Sequence, residues 1–216
     1  TPQKANGLYD PRFEHDACGV GMVTSLNKVA ERRIVENALE VLENLDHRGA
    51  VGAEENTGDG AGIMMSMPDE FLREVSEMQL PALGSYAAGI AFLDRDVALS
   101  GKQQQAIADI AAEEGLDTLE WRVVPTNPSH LGLQALATMP AFYQVIFADE
   151  SNGTSGIELD RVAYRIRKRV EHEVGVYFAS LSTRMFTYKG MLTTTQLPEF
   201  FVDLDNMSMK ARVAIV

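Results

Sequence analysis

The 216-residue chain has one cysteine, Cys18, and one tryptophan. A single thiol forms no internal disulfide and builds no cysteine-based metal site alone, so a reducing, cytoplasmic setting is expected. Basic charge is also scarce. Against 31 Asp and Glu stand only 19 Lys and Arg, a formal net charge of −12. That lacks the basic surface a nucleic-acid or anionic-membrane binder needs, and neither partner is expected. No apolar run reaches the roughly 18 residues of a membrane-spanning helix. The opening Thr-Pro-Gln-Lys-Ala-Asn-Gly has no apolar core of a secretory signal. The histidines at 15, 47, 130 and 172 show no metal-ligand spacing such as His-x-x-x-His.

Hydrophobic residues make up 45% of the chain and charged residues 23%, an ordinary globular balance. Residues 1–17 carry neither helical nor strand period and read as a leader. A strand is predicted over 19–26, starting abruptly at Cys18. Ile34, Ala38, Leu42 and Leu45 recur at helical spacing, which predicts an amphipathic helix over 31–45. A Gly-rich connection follows, and then a strand over 63–67. Asp69 is expected to cap a helix carrying Phe71, Leu72, Val75 and Met78. Further strands are expected over 85–93, 120–125, 142–148, 177–182, 186–193 and 212–216, and helices over 102–114 and 159–173. The short step from Thr183 to Phe186 suggests a hairpin. Strands flanked by helical segments predict sheets covered by helices, of mixed α and β class. The apolar end Ala-Arg-Val-Ala-Ile-Val lacks a turn or polar tail, so the chain is expected to be the first part of something longer.

Four features could carry chemistry. Cys18 stands between the leader and a Gly-Val-Gly strand, where small neighbours admit a substrate. A thiolate is a strong nucleophile but needs a base. Cutting the chain before Cys18 supplies one, because a freed α-amine has a pKa of about 7.7–8.0 and can relay the thiol proton. The bland alternative is a small buried hydrophobe. Arg48, in His47-Arg48-Gly49, offers a planar donor fork for a carboxylate, or simply satisfies the last helix carbonyls. The run Gly58-Asp59-Gly60-Ala61-Gly62 can bring ligand and backbone together, or be only a tight turn; it is neither a P-loop nor a dinucleotide fingerprint. The cluster Arg161, Arg165, Arg167, Lys168 and Arg169 reads as a solvated or docking helix face.

Together, Gly7-Leu8-Tyr9-Asp10-Pro11, Glu14-His15-Asp16-Ala17-Cys18-Gly19-Val20-Gly21, His47-Arg48-Gly49-Ala50 and Thr57-Gly58-Asp59-Gly60-Ala61-Gly62 resemble the start of the glutamate synthase large subunit. That region is its class II, N-terminal-nucleophile glutamine amidotransferase domain. Glu120-Trp121-Arg122-Val123-Val124-Pro125, Arg165-Ile166-Arg167-Lys168-Arg169 and Tyr188-Lys189-Gly190-Met191-Leu192 fit as well. The resemblance implies a four-layer αββα sandwich, cut short at its C-terminus, over 18–216, with 1–17 a propeptide removed at Ala17–Cys18. It implies Cys18 as the nucleophile that hydrolyses L-glutamine through a thioester. Arg48 and Gly60 are expected as elements of the substrate-site wall. In the whole enzyme the ammonia would pass to 2-oxoglutarate, with FMN, a 3Fe-4S cluster and an NADPH-oxidising small subunit. None of these cofactors is expected on this segment. The family's oxyanion-hole Asn-Gly pair and carboxylate-holding Arg segment have no match before Val216, so the chain as given is expected to be inactive. Two other readings stay open: another class II amidotransferase making a phosphoribosylamine or amino sugar, and a catalytically silent regulatory or assembly module on the same scaffold.

Overall fold

The computed structural model describes residues 19–48, 54 and 56–216. The leader, Ala17 and Cys18 lie outside the described residues. Within them the chain is α+β, with eight strands in two four-stranded sheets and six α-helices. The first sheet has the order β1 (Met22–Thr24), β8 (Val213–Ile215), β2 (Ala61–Ser66), β7 (Met185–Gly190). The second has the order β4 (Asp117–Val123), β5 (Ala141–Ala148), β3 (Ala87–Leu93), β6 (Tyr177–Ser182). Every strand pair is antiparallel.

Alternation along the strands divides each sheet into two faces. In the second sheet, Ala87, Ala91, Leu93, Val145, Phe147 and Phe178 share one core with two helices. Those helices are α3 (Val97–Glu113), through Ile107, Ile110 and Ala111, and α5 (Gly156–Glu173), through Leu159, Ala163, Ile166 and Val170. The opposite face supplies Ala88, Ile90, Phe142 and Ile146 to a second core. Ile63, Met65, Phe186, Tyr188 and Ala214 of the first sheet belong to that core, with Ile34, Val35, Ala38, Leu39 and Leu42 of α1 (Arg32–Asn44). Burying a side chain of this size contributes about 1.5–3 kcal/mol, so the apolar periodicity that made α1 legible also fastens it to β1, β2 and β8.

The basic face of α5 is partly docked and partly solvated: Arg161, 64% exposed, pairs with Glu158 of its own helix. Arg165 and Arg169 reach Glu114, just past α3, at 2.8 and 3.2 Å. Arg169 also pairs with Glu113 and Glu173, at 2.7 and 2.8 Å.

Several expectations need correction. The step at Thr183–Arg184 does not close a hairpin within one sheet; β6 and β7 lie in different sheets, and the link carries the chain between them. Asp160 of α5 fixes the crossing by accepting from the Ser182 hydroxyl and the Thr183 amide, both at 2.8 Å. Asp69 is not a cap. It stands in the first turn of α2 (Asp69–Val75) and accepts instead from the Tyr86 hydroxyl at 2.8 Å and from Arg73. Met78 falls beyond the end of that helix. α3 starts five residues earlier than periodicity suggests, because the Asp96 carboxylate accepts from the amides of Ala98 and Leu99. Two short helices, α4 (Leu133–Thr138) and α6 (Gln196–Phe200), have too few turns to show a period and were not expected.

Candidate active site

The less buried face of the first sheet carries a groove. Register aligns Met22 with Ile215, Ile215 with Met64 and Met64 with Thr187, so one row crosses all four strands. Its neighbouring row pairs Gly62 with Lys189. Gly62, Met64, Thr187, Lys189 and Ile215 line the groove with Asp59, Gly60 and Phe92. The groove encloses about 580 Å³, within the range of small-molecule sites. A smaller apolar cavity lies beside it and shares Phe92, Gly190 and Met191; Leu131, Phe142 and Phe200 are among its other lining residues.

Lys189 places a cation in this groove. Its ammonium donates to the Tyr177 hydroxyl at 3.0 Å and sits 5.1 Å from the centre of that ring. Such a contact holds a flexible lysine to one side of its site.

The Gly-rich segment forms one wall. Gly58 is required by close approach, since a Cβ there would lie 2.3 Å from the Leu192 carbonyl oxygen. Gly60 has φ +146°, which a side chain would strain, and it brings bare backbone to the groove. Just upstream, the Glu54 carboxylate accepts from the Thr57 hydroxyl at 2.6 Å and from the amides of Leu133 and Gln134 at 2.9 and 3.1 Å. The Thr57 hydroxyl first, and then the two amides, hold this carboxyl below the usual range.

Of the sequence-predicted site residues, Gly60 is at the groove. Arg48 ends a 3-10 turn, Asp46–Arg48, and its side chain lies outside the described residues. That turn is tied to the chain beyond β7 by Asp46, which accepts from the Thr194 hydroxyl at 2.6 Å. Cys18 and Ala17 precede the first described residue, Gly19.

Sequence reasoning missed two groups. Lys189 and Glu54 are single charged residues with no pattern of their own; Lys189 stands out only as part of Tyr188-Lys189-Gly190-Met191-Leu192. The second group is a buried polar network. The Asp203 carboxylate accepts from Arg122 Nη2 at 2.5 Å and from the Tyr188 hydroxyl at 2.9 Å, while Arg122 also donates to Gln144 Oε1 at 3.0 Å. Burial, helped by the Asp203 charge, pushes the Tyr188 hydroxyl well above its ordinary value, so it stays a donor. These residues span four separate elements, so no local spacing marks them.

Among the described residues no group of three or more His, Cys, Asp or Glu could hold a metal, and no helix is long and apolar enough to cross a membrane.

Comparison with known proteins adds the family. The model of class-II glutamine amidotransferases matches residues 18–216. The glutamate synthase [NADPH] large chain of Bacillus subtilis is 36% identical over 219 residues, covering 99% of this chain and 14% of that protein. The glutamate synthase [NADH] of Schizosaccharomyces pombe is 35% identical, covering 99% of this chain and 11% of that protein. A ferredoxin-dependent glutamate synthase of Arabidopsis thaliana is 36% identical, again covering 99% and 14%. The chain thus spans about a seventh or less of the length of these relatives.

Proposed function

Because this chain belongs to the class-II glutamine amidotransferases, we propose that it supplies the glutamine-hydrolysing site of a glutamate synthase. The observation that carries the reading is where the family match starts: at Cys18, the only thiol in the chain. In this reading residues 1–17 are removed and Cys18 becomes the first residue. Its α-amine, with a pKa of about 7.7–8.0, takes the thiol proton. The thiolate attacks the side-chain amide carbon of L-glutamine. The ammonium so formed returns a proton to the departing nitrogen, and ammonia leaves a γ-glutamyl thioester. Water, deprotonated by the same amine, then hydrolyses the thioester to glutamate and restores the thiol.

The groove supports this reading geometrically. Even-numbered positions of β1, Met22 and Thr24, share the face of Met64, Thr187 and Ile215. Gly60 lets substrate approach bare backbone there, and Arg48 adds a donor fork to the wall in this reading. The four-layer αββα sandwich expected of the family belongs to this reading: the two sheets share one core, and α3 and α5 cover the outer face of the second.

The names of the relatives favour glutamate synthase over a sugar-phosphate amidotransferase. Ammonia would then pass to 2-oxoglutarate in the remainder of the large subunit, with an NADPH-oxidising small subunit as the further partner. FMN and a 3Fe-4S cluster would belong to that remainder. One cysteine cannot supply a cluster's three thiolates, and no step above passes through either group.

The test uses the full-length polypeptide that carries this chain. N-terminal sequencing of active material should begin at Cys18. Cys18→Ala should abolish glutamine hydrolysis and thiol labelling by a glutamine-analogue electrophile. Active protein that retains residues 1–17 refutes the amine as base. Undiminished hydrolysis by Cys18→Ala refutes the reading altogether.

A further inference from the structure

The wall that presents Gly60 is held in place by an unusual set of contacts upstream. The Glu54 carboxylate gathers three donors: the Thr57 hydroxyl at 2.6 Å, and the first two amides of α4 at 2.9 and 3.1 Å. The backbone completes the seam. The Asn56 carbonyl accepts from the Gly132 amide at 2.9 Å and from Gln196 Nε2 at 3.1 Å. The same Gln196 nitrogen reaches the His130 carbonyl at 2.8 Å, tying both sides of the seam to α6. Packing is tight enough that a Cβ on Gly132 would lie 2.2 Å from the Thr57 hydroxyl and 2.5 Å from a Glu54 oxygen. Thr57 itself is only 4% exposed. Glu54, Asn56 and Thr57 lie three to six residues before Gly60, with Gly58 pressed on Leu192 between them.

Resting on the function read above, we propose that Glu54 is a positioning residue of the glutamine site. It is a latch from the Gly-rich wall to the start of α4. It touches no reacting atom. Its carboxylate fixes where Thr57 and Gly58 lie, and through them where the Gly60 backbone meets the substrate. Two features favour a latch over generic packing. The acceptor is a charged group serving donors from two separate segments, and such bonds are shorter and about twice as strong as neutral ones. The segment it holds is also exposed at Asp59 and Gly60, where no apolar side chain anchors the wall.

The experiment compares Glu54→Ala, Glu54→Gln and wild type in the full-length polypeptide. It reads glutamine hydrolysis, melting temperature, and hydrogen exchange over residues 57–63 and 131–135. Glu54→Ala should raise KM for glutamine about tenfold or more, leave kcat within about threefold, and speed exchange in both segments. Glu54→Gln keeps one acceptor oxygen and should recover part of the KM. A lowered melting temperature with KM unchanged means a merely structural role and overturns the proposal. So does unchanged exchange in both segments. Wild-type protein that hydrolyses no glutamine overturns the function reading and the latch's role with it. Active wild type with an indifferent Glu54→Ala overturns the latch alone.

Discussion

Removing Asp203 should be among the most damaging single changes in the described fold. Its side chain is 5% exposed, in a 3-10 turn, Val202–Asp205, and Arg122 opposite is 16% exposed. Two Arg122 nitrogens reach the carboxylate, at 2.5 and 3.3 Å, and the Tyr188 hydroxyl adds a third donor at 2.9 Å. Asp203→Ala leaves a guanidinium held only by Gln144 Oε1, over the face of Phe71. It also leaves the buried Tyr188 hydroxyl without its acceptor. Deleting one partner of a buried ion pair costs about 3–5 kcal/mol. The residual Gln144 contact argues for the lower half of that range. For a domain of this size that is a fall in Tm of about 6–16 °C. Tyr188→Phe removes one hydrogen bond to a charged acceptor and should cost about 1.5–3 kcal/mol. The decisive variant replaces the three ionisable members together, with Arg122→Met, Tyr188→Phe and Asp203→Leu, leaving only the Gln144 Oε1 without its donor. Apolar replacement of a buried ion pair is often neutral, so the triple variant should be less destabilised than Asp203→Ala alone. Urea unfolding, with the slope checked for constancy, reads all three. The reasoning fails if Asp203→Ala stays within about 1 kcal/mol of wild type, or if the triple variant is worse than the single one.

Two further changes probe the wall and the docking face. Gly58→Ala drives a Cβ to 2.3 Å from the Leu192 carbonyl and should cost about 1–3 kcal/mol by overpacking; calorimetry that finds it neutral would mean the wall moves freely. Glu114 is held below its ordinary range by Arg165 first and Arg169 second. A depressed carboxyl stabilises the fold above its unfolded value, here 4.5, and loses that contribution as pH falls through its folded value. Glu114→Gln should therefore be less stable than wild type at pH 7, with the gap closing as pH falls below 4.5 and through the lowered folded value; a gap that widens in acid would contradict the pairing.

What could be read in advance follows from what is local. α1 is legible because one helix face carries its own apolar period. The start of α3 was misread because its first turns hold Ser100 and Gly101, while Asp96, which caps it, looks like any loop carboxylate. The β6–β7 link was misread for a topological reason. A two-residue step is compatible with a hairpin or with a crossing between sheets; the distant pairings of β6 with β3 and of β7 with β2 make it a crossing, and Asp160, more than twenty residues away, bonds the link. The Arg122, Tyr188 and Asp203 network is invisible in the same way, its members being 66 and 15 positions apart in sequence.

The Gly-rich motif shows why pattern alone leaves function and packing entangled. Thr57-Gly58-Asp59-Gly60-Ala61-Gly62 reads as a substrate-facing turn, yet two of its glycines meet neighbouring chain. Gly58 abuts Leu192, and a Cβ on Gly62 would lie 2.8 Å from the Lys189 Cβ. Gly60 differs from them. Its hypothetical Cβ meets nothing nearer than the Gly190 carbonyl at 3.5 Å, so the demand there is backbone conformation at φ +146° rather than space. A change at Gly58 or Gly62 should therefore act first on stability, and one at Gly60 first on the geometry of the groove. Gly60→Ala is accordingly expected to disturb glutamine KM more than Gly62→Ala does relative to the stability each loses. Parallel titration of both variants would contradict this division if the two losses scaled together.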